Sequence, residues 1–141
     1  DYVIAAEGTR FNLAYINLGT SCDVGASWAL PRTVGVRKAL EIALLGEAFT
    51  ADDALRLGLI NRVVPAAELD SAITTLAQRL AAGPTVAYGA MKRLMRASMD
   101  RTLPEQLAAE KDAFVHCAGT EDFRAGVEAF HQRQSAQFVG R

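Results

Sequence analysis

The sequence predicts an α/β chain that opens with short strands and becomes mostly helical in its second half. Three observations carry this. An unbroken apolar run at the very start reads as a buried strand, and the hydrophobic period changes from strand-like to helical after Pro65. Signals for helix starts and stops then recur at regular intervals to the C-terminus. The expected division is a mixed segment over residues 1–65 and a helical segment over 66–141.

Tyr2 to Ala6 reads as the first strand, ended by Gly8. A second apolar stretch runs from Phe11 to Leu18 and stops at Gly19. Thr20-Ser21-Cys22-Asp23 is turn chemistry, and Asp23 in that position predicts an N-cap for a helix from Val24 to Leu30. Pro31 is expected to close that helix, since it cannot donate to the preceding turn. Val36, Leu40 and Ala43/Leu44 then repeat at helical spacing until Gly46. Thr50 with Asp53 forms a capping-box pattern for a helix of about one and a half turns, ended by Gly58. Leu59 to Val64 reads as a short strand closed by Pro65.

Beyond Pro65, Leu69, Ile73, Leu76 and Leu80 make one apolar stripe, stopped at Gly83. Pro84 fits the first turn of a following helix that presents Ala87, Met91, Leu94 and Met95 on one side. Thr102 with Glu105 predicts another capping box ahead of Leu103, Leu107 and Phe114. Thr120 caps a last helix bearing Phe123, Val127 and Phe130. Apolar stripes on three successive helices, with little in the sequence to cover them, predict packing against other subunits.

Composition excludes several classes of function. Half of the 141 residues are hydrophobic and 22% are charged, which argues against disorder. With 15 basic and 16 acidic residues the formal net charge is -1, giving no electrostatic reason to expect nucleic acid or an anionic membrane as partner. The longest apolar stretches are far too short to span a bilayer, and Asp1 to Glu7 lack the basic and apolar regions of a signal peptide. The cytoplasm is therefore the expected compartment. Cys22 and Cys117 have no ligand spacing, and His116 and His131 have no carboxylate or thiol placed to share a metal. A chain that opens inside a strand without an initiating Met reads as either processed or part of something longer.

Two ordered sets of residues carry a resemblance. The first is Leu30-Pro31-Arg32, Gly35 and Ala39, followed by Gly46, Phe49, Ala51, Ala54, Gly58-Leu59-Ile60-Asn61 and Val63-Val64-Pro65. The second is the tail from Phe114 through Asp122 to Gly126, Ala129-Phe130 and Arg133. Singly, these are helix stops, close-packing alanines and loop markers; in this joint order the chain resembles the C-terminal part of the enoyl-CoA hydratase/isomerase (crotonase) family. The resemblance is collinear from Asp1 to Arg141.

The resemblance implies a ClpP-like spiral of strand–helix units ending near residue 65, then a helical region that builds trimers, often stacked as hexamers. It implies acyl-CoA thioesters as substrates, with coenzyme A arriving as part of the substrate and no separate cofactor. Two backbone N–H groups that stabilise the enolate oxygen are expected to lie ahead of Asp1. Hydratases of the family hold water with two glutamates; one is expected ahead of Asp1, and the other aligns with Tyr15, which cannot act as a base near neutral pH.

Asp23, eight residues on, falls where isomerases of the family carry a proton-shuttling aspartate and where its dehalogenases carry a nucleophilic one. The expectation is thus an acyl-CoA enzyme in which Asp23 moves a proton. Hydration, nucleophilic attack by Asp23, and a non-catalytic assembly piece are the alternatives. Tyr15, Phe11 and Trp28 are candidate pocket walls, although each also reads as core. Phe114 and Arg133 align with positions that contact the adenine and phosphates of coenzyme A, and Lys92 with a lysine on the first trimer-building helix. Helix packing for Phe114 and solvation for Arg133 and Lys92 are the plain alternatives.

Overall fold

The computed structural model describes all residues from Asp1 to Arg141. It resolves into two compact units, Asp1–Ile73 and Thr74–Arg141.

The first unit is built on two small pairings. Strand β1 (Ile4–Ala6) lies parallel to β4 (Arg62–Val64), with Ala5 opposite Val63. Asn61 lengthens this ladder by accepting from the Val3 amide at 2.8 Å through its side chain and donating its own amide to Val3. Strand β2 (Arg10–Phe11) runs antiparallel to β3 (Phe49–Thr50), and the rings of Phe11 and Phe49 stack with centroids 5.8 Å apart. Strands β1, β2 and β4 are shorter than the apolar runs that announce them, and β3 forms where the sequence announces no strand. Tyr2 and Val3 lie outside β1, and the stretch from Phe11 divides between β2 and a 3-10 helix over Ala14–Leu18.

Helix α1 spans Ala26–Val34 and α2 spans Val36–Leu45, packed on one another. Here the structure corrects two expectations. The helix starts at Ala26, because Val24 and Gly25 take left-handed conformations with φ of 44° and 83°. Pro31 lies inside α1 rather than closing it. The missing N–H leaves the Ser27 carbonyl without its helical donor, yet the helix continues. The Gly35 amide reaches the Pro31 carbonyl, and the Arg32 and Thr33 side chains donate to the Trp28 and Ala29 carbonyls. Packing on α2 outweighs the local preference.

Helix α3 (Ala51–Arg56) has the capping box its sequence announces, with Thr50 and Asp53 bonded reciprocally. Its buried face carries Ala51 and Ala54, which pack with Ala5 and Ile60 into a core of small side chains. No large side chain is fully enclosed anywhere in the chain.

Helix α4 (Leu69–Ala81) follows β4 and a short 3-10 turn. In the second unit, α5 (Thr85–Ala97) packs on α6 (Leu103–Ala118), and α6 on α7 (Glu121–Gln132). Pro84 sits at the N-cap of α5, one place before its first turn. Thr102 and Glu105 form the expected box, and the Thr120 hydroxyl accepts from the Phe123 amide at 3.0 Å. No helix is long and apolar enough to cross a membrane.

Candidate active site

Asp23 has surroundings that differ from what its sequence context predicts. A helix-capping aspartate turns its carboxylate onto the amides of the first turn. At the start of α1 that bond comes instead from the main chain, with the Ala26 amide donating to the Asp23 carbonyl at 3.0 Å. The successive left-handed residues Val24 and Gly25 leave the carboxylate free of the helix. A β-branched residue with positive φ is a conformational outlier and marks stored strain. Val24 is 94% exposed, so no packing of its side chain compensates.

The carboxylate meets Tyr15 instead. The Tyr15 hydroxyl donates to Oδ1 of Asp23 at 2.6 Å. This is the length of a charge-assisted O–H···O bond. The bond holds the Tyr15 phenol above its ordinary pKa; burial and the negative charge of Asp23 push the same way, partly opposed by the Asp23 amide. Tyr15 therefore remains a donor throughout the neutral range. The second carboxylate oxygen, Oδ2, makes no further hydrogen bond.

The fold brings these two residues together through the 3-10 helix. Gly19 ends it in a left-handed conformation, its amide bonded to the Ile16 carbonyl. The Thr20 amide then reaches the Tyr15 carbonyl at 3.2 Å, which turns the chain back toward Tyr15. Asn17 fastens the same helix to the end of α2 by donating to the Gly46 carbonyl at 3.2 Å. A Cβ on Gly46 would sit 2.7 Å from both Asn17 Oδ1 and Ile16 Cγ2, so the close approach requires glycine. Beside Asp23 in the chain, Cys22 lines an apolar cavity of 310 Å³ whose other walls include Leu13, Leu30, Val36 and Leu40.

The remaining residues singled out from sequence have other partners. Phe11 is taken up by its stack with Phe49. Trp28 lies on the exposed face of α1, with the Arg32 guanidinium 4.1 Å above its ring. In the second unit Phe114 is exposed on α6 and meets Phe123 edge-on at 6.1 Å. Arg133 occupies the left-handed C-cap of α7, with φ of 54°. Lys92 lies exposed on α5 and has an interaction of its own.

One structural residue carries no sequence signal of its role. Asp122 is 3% exposed, and its carboxylate accepts from the amides of Val139 and Gly140 at 2.7 and 3.0 Å. In the sequence it is simply an acidic residue in the first turn of a helix, suited to the helix dipole. Its partners lie 17 and 18 residues away, beyond the reach of any local pattern.

The first unit is thus a small α/β segment that brings Tyr15 and Asp23 together, and the second is helical. Comparison with known proteins makes the assignment specific. The family model for enoyl-CoA hydratase/isomerase matches residues 1–141. The chain belongs to the enoyl-CoA hydratase/isomerase family. It is 38% identical to a Rhodobacter capsulatus protein named "Probable enoyl-CoA hydratase", covering 100% of this chain and 55% of that one. It is 37% identical to the 1,2-epoxyphenylacetyl-CoA isomerase of Escherichia coli, covering 100% and 54%. The crystal structure of an enoyl-CoA hydratase from Polaromonas sp. JS666 superposes with a TM-score of 0.92 at 32% identity, covering 99% of this chain and 54% of that one. The chain spans about half the length of the curated relatives it matches.

Proposed function

We propose that this chain is the base-bearing part of an acyl-CoA isomerase, in which Asp23 carries a proton between two carbons of a CoA-bound acyl group. The observation that carries the reading is the state of the Asp23 carboxylate: withheld from the helix end, bonded through Oδ1 to Tyr15, and open at Oδ2. An ionised carboxylate in that state takes a proton from the carbon α or γ to the thioester, leaving an enolate conjugated with the double bond. The carboxylic acid so formed returns the proton at the other carbon, and the double bond moves with no water consumed. Tyrosine at position 15 supports this over hydration, since a phenol with a raised pKa supplies no second base to activate water.

The backbone donors that stabilise the enolate oxygen are expected ahead of Asp1, so the reaction belongs to the protein in which this segment joins that region. Phe114 and Arg133 are the residues proposed for the adenine and phosphates of coenzyme A, a guanidinium being suited to phosphate, and Lys92 is a further substrate-binding candidate. Assembly through the helices as a trimer or hexamer belongs to the same reading. It is supported by the apolar side chains left on the surface of the second unit, among them Leu103, Leu107 and Phe130.

Product analysis tests the reaction type. A 3-enoyl-CoA should be converted to its 2-enoyl isomer without uptake of solvent oxygen. Accumulation of a 3-hydroxyacyl-CoA would establish hydration instead, and a mass increment on Asp23 after quenching would establish a nucleophile.

A further inference from the structure

The isomerase reading leaves open what makes one oxygen of Asp23 the working one and what holds the side chain still. We propose that Tyr15 is the positioning residue of this site, fixing Oδ1 of Asp23 so that Oδ2 takes and returns the proton. The inference rests on Asp23 being the base and deepens that assignment.

Of the two partners, Tyr15 is the anchored one. Tyr15 stands on the 3-10 helix that Asn17 ties to the end of α2, where the Gly46 backbone comes into close contact with Asn17 and Ile16. Asp23 stands on an exposed loop whose next residue is strained and whose side chain has no other hydrogen bond. An aspartate so placed has two freely exchanging oxygens unless something distinguishes them. The Tyr15 hydroxyl, 2.6 Å from Oδ1, does so.

The contact also assigns the phenol differently from a pocket wall that hydrogen-bonds the acyl group, because its single proton is already committed. The bond itself raises the phenol pKa, so the hydroxyl remains the donor near neutral pH. Pre-organisation of this kind acts on turnover more than on binding, since it holds the base in its reacting geometry without touching the substrate's carrier.

Two measurements test the proposal. In this chain with Tyr2 and Tyr88 replaced by Phe, tyrosinate absorbance should show Tyr15 titrating above an ordinary phenol, and Asp23→Ala should return it to the ordinary range. An ordinary titration with Asp23 intact would overturn the inference. In the full-length protein carrying this segment, Tyr15→Phe should lower kcat roughly ten-fold, the size of one such hydrogen bond, with KM unchanged. Unchanged kcat, or a loss confined to KM, would overturn it while leaving Asp23 as the base. Full activity in Asp23→Asn would remove the base assignment and this inference with it. Tyr15→Phe conserves volume, so circular dichroism of that variant should match the parent.

Discussion

Val24 sits at φ 44° with its side chain almost wholly in solvent, and its neighbour Gly25 at φ 83°. A left-handed conformation costs a β-branched residue on the order of 1–2 kcal/mol, whereas asparagine tolerates it. Val24→Asn should therefore raise the stability of the chain by about 1 kcal/mol in urea unfolding; a loss of stability would mean that the valine side chain makes a contact in solution. The opposite outcome is expected at Gly46, where an added methyl would strike Asn17 and Ile16 at a left-handed position. Gly46→Ala should cost more than about 1 kcal/mol and loosen the 3-10 helix that carries Tyr15. At this scale the sequence singles out Asp23 as a cap, whereas its carboxylate accepts from Tyr15 instead. Turn residues ahead of an apolar helix normally mean a cap, and nothing in the letters Asp-Val-Gly says that the valine will accept a left-handed backbone. The Tyr15 bond depends on that backbone, so it was legible only as a spacing.

Helices were the most readable elements, because their ends are written in short-range chemistry. Thr50 with Asp53, Thr102 with Glu105, and Thr120 each cap the helix their position announces. Thr120→Ala should cost about 1 kcal/mol by thermal or urea unfolding, the usual worth of such a cap. Two of these caps also carry a pH signature. The Thr50 hydroxyl and amide, with Arg56 adding its charge, hold Asp53 below the ordinary carboxylate pKa. The Thr102 amide and hydroxyl do the same for Glu105. A carboxylate whose pKa falls on folding stabilises the fold above its unfolded pKa, near 4, and loses that contribution as pH drops through the lower folded value. Stability should therefore decline below about pH 4, and Glu105→Gln, which removes the titrating group, should flatten part of that decline; an unchanged acid limb would contradict the role assigned to Glu105. Pro31 stays inside α1 for a tertiary reason, since packing on α2 helps keep the helix running past it. The Asp122 clasp was unreadable because it joins a helix start to a tail. Asp122→Ala should abolish slow hydrogen exchange at the Val139 and Gly140 amides while the centre of α6 stays protected.

Across the whole molecule the buried set is made mostly of alanines, with Ile60 and Val64 the only large aliphatic members, while Leu18, Val36, Leu44, Leu103, Phe114 and Phe130 remain on the surface. Small core residues permit close approach of backbone elements but contribute little apolar area, at roughly 25 cal/mol per Å². The apolar surface left open is the larger resource, and covering it is the physical reason for expecting partners. Light scattering of the chain should show concentration-dependent association, weakened by Phe130→Glu; a monodisperse monomer at all concentrations would contradict assembly through these helices. Family membership was legible from the joint order of the glycines, alanines and prolines, which local physics explains only one by one, and the match over residues 1–141 bears it out. The proposed reaction is a narrower matter, and the proposal turns on one carboxylate. Full-length protein carrying this segment, assayed for transfer of the double bond in a 3-enoyl-CoA, should lose at least about a hundred-fold in kcat on Asp23→Asn, the low end for removing a general base. Activity unchanged by that substitution would contradict the account at its centre.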